Sequence, residues 1–133
     1  MTATQKQHTF NLIVIAITFA LFFAAAPFIG VTHAGGFLGL MGFLGFGIFF
    51  LWKRGQSTQV IADERDRAIQ QRAFHVAFAI FWAIFVLACV GAWLIYGDNG
   101  AIPIRFLPVI MYCSWGLWQA TQSIAVLIQY RTA

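Results

Sequence analysis

Charged residues are scarce in this chain of 133 residues. Only 9% of the positions are Asp, Glu, Lys or Arg, whereas 61% are hydrophobic, and the mean hydropathy is +0.80. Soluble domains carry about 25% charged residues, and a small chain buries too little of its surface to hide this much apolar area in one core. The scarcity of charge therefore excludes an ordinary water-soluble domain. It predicts an integral membrane protein whose apolar surface contacts the lipid bilayer.

Acidic residues are absent from the long apolar runs, and cysteine occurs only as Cys89 and Cys113, without a CxxC motif. A proton-coupled exporter needs an acid within the membrane, and a thiol-exchange enzyme needs paired cysteines. His8 and His75 lie near one end of the predicted bundle. Imidazole binds metals readily, but we expect both rings to meet water or lipid headgroups. The sequence thus predicts a protein that is not an enzyme and has no metal and no cofactor.

Four apolar runs approach the length of about 20 residues that a helix needs to cross a bilayer. They predict spans at about 10–29, 37–52, 74–96 and 106–130. Runs of this kind lack the alternating pattern of a transmembrane β-barrel. We therefore predict an all-α membrane protein with a single domain over residues 1–133, in which four transmembrane helices form two hairpins.

Two of the runs carry a further prediction. The first run resembles a signal peptide before Gly35, but its apolar core exceeds the usual 7–15 residues, so we expect a retained anchor. In the fourth run, Pro103 suits the first turn of the helix. Pro108 would then lie about one turn inside, where proline bends a helix, and we expect a local kink there.

The second run is rich in glycine. Small residues let transmembrane helices approach closely, so we predict that a glycine repeat in this run packs against a neighbouring helix of the same chain. A homodimer face or a ligand-lined groove is the alternative. The repeat consists of Gly36, Gly39, Gly42 and Gly45.

The distribution of basic residues predicts the orientation. If the charged linker between the second and third runs is cytoplasmic, seven of the eight Lys and Arg residues lie on that side and Arg105 alone lies on the other. Cytoplasmic loops are enriched in Lys and Arg. We therefore predict a multi-pass protein of a prokaryotic cytoplasmic (inner) membrane with both termini cytoplasmic. The same bias explains the pI near 9.6, so no nucleic-acid partner is expected.

Eight of the twelve charged residues lie between Lys53 and Arg72, and good helix formers predict a charged cytoplasmic helix at about 58–73 that continues into the third span. A solvated helix that only sets orientation needs just Lys and Arg. The acids and a narrow apolar stripe favour docking to another protein or to a second copy of the chain. The predicted function is a small accessory or regulatory subunit. Its partner-binding residues are Ile61, Asp63, Glu64, Arg65, Arg67, Ile69 and Arg72.

The charged helix also resembles that of a group of small prokaryotic four-span membrane proteins of uncharacterised function. The resemblance rests on Asp63-Glu64-Arg65, Ile69 and Arg72-Ala73, which fit the pattern Asp-Glu-Arg-x-x-x-Ile-x-x-(Lys/Arg)-Ala between the second and third spans. It implies two helical hairpins joined by this helix, and it implies no substrate or cofactor.

The fourth run carries aromatic and amide side chains on one helical face, at positions i, i+3, i+4 and i+7. Glutamine within a membrane commonly forms hydrogen bonds across helices, so packing is the first interpretation. The alternative function is a binder or passive conduit for a small hydrophobic ligand or lipid within the bundle. The candidate ligand-binding residues are Trp115, Trp118, Gln119 and Gln122.

Overall fold

The structure, a computed structural model, describes residues 3–44 and 64–132. All regular secondary structure in these two ranges is helical, which confirms the all-α prediction. In chain order the elements are α1 (Ala3–Ile29), the short α2 (Val31–Ala34), a 3₁₀ helix (Gly35–Phe43), α3 (Glu64–Tyr96), a single 3₁₀ turn (Ile104–Phe106) and α4 (Leu107–Thr132).

Two of the described helices, α1 from Thr4 to Ile29 and α3, are long and apolar enough to cross a membrane. The 33 residues of α3 form one uninterrupted helix, which at 1.5 Å per residue is about 50 Å long. The hydrocarbon core of a bilayer is about 30 Å thick. An α3 that crosses a bilayer would therefore project beyond the lipid at one end, and its charged start is the end that water favours.

The far end of α3 stops at a glycine. Gly97 has φ 65° and donates its backbone N–H to the carbonyl of Trp93 at 2.8 Å, which is the left-handed cap that ends many helices. The indole Nε1 of Trp93 donates to Asp98 Oδ1 at 2.7 Å. Gly97 and Asp98 therefore end the helix with one backbone and one side-chain hydrogen bond.

The second run begins differently from the prediction. After α1, Gly30 at φ 82° reverses the chain, and the residues that follow the short α2 form a 3₁₀ helix of nine residues, Gly35–Phe43, rather than the start of an α-helix. Such runs seldom exceed three or four residues, and glycine has a weak preference for the α-helix. The rest of the predicted span, residues 45–52, lies outside the described residues.

The 3₁₀ helix closes a small apolar core between α1 and α4. Leu38 and Met41 are fully buried and pack with Phe22 and Ala34. Helix α4 contacts α1, the 3₁₀ helix and α3, so it lies at the centre of the described part of the bundle. This central place suits the amide side chains of the fourth run, because polar groups in membrane helices commonly form hydrogen bonds to neighbouring helices.

Helix α4 begins at Leu107, after the 3₁₀ turn that follows Pro103. Pro108 therefore lies in the first helical turn, where the missing N–H would have had no partner within the helix. The predicted kink inside the fourth helix is wrong, because the α-helix starts later than the sequence suggested.

Close glycine packing occurs at positions other than those predicted. A Cβ added at Gly116 would lie 2.7 Å from Met41 Cε and 3.0 Å from a ring carbon of Phe19, and one added at Gly35 would lie 2.9 Å from Val109. At three members of the predicted repeat, an added Cβ would have no described heavy atom within 4 Å, and the fourth lies outside the described residues. The three are Gly36, Gly39 and Gly42, and the fourth is Gly45.

Candidate functional site

The charged end of the bundle, where α3 begins and α4 ends, holds the contacts that position the charged helix. The phenol of Tyr130 on α4 donates a hydrogen bond of 2.6 Å to Asp66 Oδ1 on α3. Asp66 is only 9% exposed. An O–H donor to a carboxylate forms one of the shorter and stronger hydrogen bonds in proteins. This bond fixes the first turn of α3 against the last turns of α4.

An apolar layer follows one turn further along α3. Ile69 and Ala73 pack against Val126 of α4. The side-chain amide of Gln129 bridges the same layer: oriented to satisfy both groups, its nitrogen donates to the carbonyl of Ile69 at 3.2 Å and its oxygen accepts from the N–H of Ala73 at 3.3 Å. Polar and apolar contacts thus hold this face of α3 on α4. We call Asp66, Tyr130 and this layer the clamp.

Because the clamp buries one side of α3, only some of the predicted partner-binding residues are exposed. Ile69 is 6% exposed and packs against Val126, so this residue of the predicted apolar stripe contributes to the fold. The charged side chains on the other faces of α3 are exposed. The exposed predicted residues are Glu64, Arg65, Arg67 and Arg72, while Ile61 and Asp63 lie outside the described residues.

A second set of polar contacts lies on α1 beside the clamp, and sequence reasoning missed it. Gln7 and Asn11 are buried and joined by a hydrogen bond of 3.1 Å between Gln7 Nε2 and Asn11 Oδ1. His8 Nδ1 lies 3.1 Å from the hydroxyl oxygen of the buried Ser123 on α4. The spacing of Gln7, Asn11 and the buried Thr18 on one helical face was the available signal.

The two histidines near the charged end have separate partners. His8 contacts Ser123, whereas His75 Nδ1 lies 2.7 Å from the carbonyl oxygen of Gln71 in its own helix. Among residues 3–44 and 64–132, no group of three His, Cys, Asp or Glu side chains is arranged to hold a metal ion.

The polar face of the fourth run contributes to helix packing. The Trp118 ring meets Phe74, Phe78 and Phe81 of α3 edge to face, with centroid distances of 5.2, 6.1 and 5.7 Å. Aromatic pairs in this geometry add to the stability that burial provides. Trp115 is exposed, and Gln119 and Gln122 are half-buried. Of the four predicted ligand-binding residues, Trp118 therefore packs on α3.

Most of the chain matches the model of a protein family. The family model described as "Predicted membrane protein (DUF2178)" fits residues 6–130. The chain belongs to this family. DUF2178 is a predicted membrane protein family of unknown function, so it agrees with the uncharacterised membrane class and the bilayer contact that the sequence predicted. No curated protein and no solved structure matches the chain.

Membership of DUF2178 also explains the surface of α3 beyond the clamp. From Phe78 to Tyr96 no side chain is buried within the described part of the chain, and large apolar residues such as Leu87, Leu94 and Ile95 are at least 70% exposed. Monomeric soluble proteins rarely expose so large an apolar surface. Contact with a lipid bilayer, which the predicted membrane family indicates, accounts for such a surface.

Proposed function

We propose that the protein is an accessory or regulatory subunit of a prokaryotic inner membrane, without enzymatic activity, which docks a partner protein through the exposed face of α3 at the charged end. The observation that carries this proposal is the clamp. Tyr130 and Val126 hold one side of the charged helix on α4, and the opposite side presents Glu64, Arg65 and Arg67 to water.

A charged face on a clamped helix suits recognition for a physical reason. Side chains on a rigid element lose less conformational freedom on binding than those on a free loop. Charges of both signs also discriminate between partners, because wrong pairings place like charges together. Glu64 beside Arg65 and Arg67 provides such a mixed pattern.

The proposed topology places four spans in two hairpins, with both termini and the charged face in the cytoplasm. The Lys and Arg distribution supports this orientation. Reporter fusions after Thr132 and within the loop at Asp98 test it. A cytoplasmic reporter active after Thr132 and inactive at Asp98 is expected, and the reverse pattern would contradict the orientation.

The docking proposal is tested by exchanging two charges. The double variant Glu64→Arg with Arg67→Glu keeps the number of acids and bases, so the orientation signal is unchanged. We expect insertion to be normal and recovery of the cross-linked partner in mild detergent to fall at least about tenfold, a loss of ~1.4 kcal/mol in binding.

The matched control is a charge change at the other end of the bundle. Arg105 is exposed and lies over the ring of Phe106, and Arg105→Gln should leave partner recovery unchanged. Equal recovery from the exchanged variant and from wild type would show that the charged face does not dock the partner.

The alternative, a binder for a small hydrophobic ligand at the face of Trp115, Trp118, Gln119 and Gln122, has its own test. Replacing Gln119 and Gln122 with Leu should remove a co-purified ligand if this face binds one. Mass spectrometry that finds no small molecule on the wild-type protein would exclude this alternative. The packing of Trp118 on α3 favours the docking proposal over it.

A further inference from the structure

An apolar groove runs along α3 and α4 near the charged end, on the lipid-exposed surface. Val76 and Ile80 of α3 form one wall, and the other wall comes from α4. The groove encloses about 250 Å³ and is almost entirely aliphatic. The α4 wall consists of Thr121, Ile124, Ala125, Ile128 and Gln129.

Each of the two helices that form the groove carries an arginine at the charged end. Arg72 lies four residues before Val76, and Arg131 lies three residues after Ile128. Residues three or four apart share one side of a helix, so each arginine continues the side of its helix that lines the groove. Both side chains are exposed, and neither has a salt bridge within the described part of the chain.

We propose that this groove binds an anionic phospholipid, with one acyl chain along the aliphatic walls and the phosphate between Arg72 and Arg131. Arginine suits a phosphate because its planar guanidinium donates two parallel hydrogen bonds. Ile80 lies about 12 Å from Arg72 along the helix axis, so the walls of the groove contact the part of the acyl chain nearest the lipid headgroup. This proposal does not depend on the docking of a protein partner.

The charges and the aliphatic walls together point to a lipid. An anionic phospholipid supplies both an acyl chain and a phosphate in one molecule. Bilayers carry such lipids at the depth where basic residues beside a membrane span attract them.

The test compares lipid binding by native mass spectrometry of the full chain in mild detergent, with phosphatidylglycerol and phosphatidylcholine added separately. The wild-type protein should retain phosphatidylglycerol in preference to phosphatidylcholine. The double variant Arg72→Gln with Arg131→Gln should weaken this binding about thirtyfold, which corresponds to ~1 kcal/mol for each arginine. Its affinity for phosphatidylcholine should change little.

The matched control removes two arginines from the same end without touching the groove. Arg65→Gln with Arg67→Gln has the same change in net charge and should leave phosphatidylglycerol binding within about twofold. Because Arg65 and Arg67 also belong to the docking face, this control separates loss of lipid from loss of the protein partner.

A third variant tests the groove itself. Val76→Trp fills the space between the walls and lies on the lipid-exposed side, where a large side chain does not strain a core. It should reduce phosphatidylglycerol binding by about tenfold with both arginines present. Equal binding of the two lipids by wild type, equal losses in the two arginine variants, or a protein dimer without bound lipid would each overturn the proposal.

Discussion

The charged half of α3, Glu64–Ala77, contains all four buried residues of that helix, whereas the far half, Phe78–Tyr96, contains none within the described chain. The charged half is held by the hydrogen bond from Tyr130 to Asp66 and by the layer around Ile69. The far half meets α4 mainly through aromatic contacts with Trp118. One end of this helix is thus packed against α4, and the other end has no buried residue within the described chain.

The difference follows from how helices associate in a bilayer. Lipid tails are as apolar as leucine, so burial of apolar side chains gives little drive for helices to pair, and close packing and hydrogen bonds decide where they do. These contacts concentrate in the charged half. We therefore expect substitutions there and in the core of α4 to change stability, and matched substitutions in the far half to change it little.

The largest expected effect is overpacking at Gly116 of α4. Leucine there would collide with Met41 and Phe19, and forcing extra methylenes into a packed core costs about 1–3 kcal/mol or more. The matched variant is Gly91→Leu in the far half of α3, where an added Cβ has no described neighbour within 4 Å. Unfolding in mixed micelles should show Gly116→Leu clearly destabilised and Gly91→Leu close to wild type. Equal losses of stability in the two variants would show that Gly116 is no more tightly packed than Gly91.

The next effect is the loss of the hydrogen bond between Tyr130 and Asp66. Tyr130→Phe should lower the free energy of unfolding by about 1.5–3 kcal/mol, the usual range for a hydrogen bond to a charged group. Tyr96→Phe, at the exposed far end of α3, is the matched control and should stay within about 0.5 kcal/mol. In a double-mutant cycle with Asp66→Asn, most of the stability lost in Tyr130→Phe should appear as coupling energy between the two residues.

A smaller effect is expected for the contact between His8 and Ser123. Hydrogen bonds across transmembrane helices contribute about 0.6 kcal/mol on average and at most about 1.7. Ser123→Ala should therefore destabilise the protein within that range, and the half-buried Ser114 provides the control as Ser114→Ala. If Ser114→Ala lowered the free energy of unfolding more than Ser123→Ala, the contact between His8 and Ser123 would not be the one that stabilises the protein.

The smallest effect on stability is expected for the exchanged pair Glu64→Arg and Arg67→Glu. Surface pairs three residues apart on a helix contribute only about 0.2–0.5 kcal/mol, so the midpoint of unfolding should scarcely move. The same variant is expected to lose partner recovery. A strong loss of stability would show that this face serves the fold, as the clamp does.

The sequence predicted the elements better than their contacts. A charged helix that continues into the third run follows from helix formers without Gly or Pro, and α3 has that form from Glu64 onward. The bond between Asp66 and Tyr130 joins residues 64 positions apart, and no local pattern specifies such a pair. The sequence alone therefore does not distinguish the buried Asp66 from the exposed charges around it.

The glycine-rich run shows a second limit of sequence reasoning. A repeat of small residues indicates that close approach is sterically allowed, but the partner decides where it happens. Gly116, alone in a run of large residues, meets Met41 and Phe19, while Gly36, Gly39 and Gly42 have no close described neighbour. In the 3₁₀ geometry of Gly35–Phe43, residues three apart lie on one side of the helix, so these three glycines share one side and still have no close described neighbour.

Thiol labelling at two adjacent positions of α3 tests the central claim most directly. Ala68 is exposed and Ile69 is covered by α4, and the two lie at the same depth relative to the membrane. Single-cysteine variants Ala68→Cys and Ile69→Cys, with Cys89→Ser and Cys113→Ser, are treated with a water-soluble maleimide. Labelling at 69 should be at least about tenfold slower than at 68, since it requires local opening of the clamp. Equal rates would show that the clamp does not form.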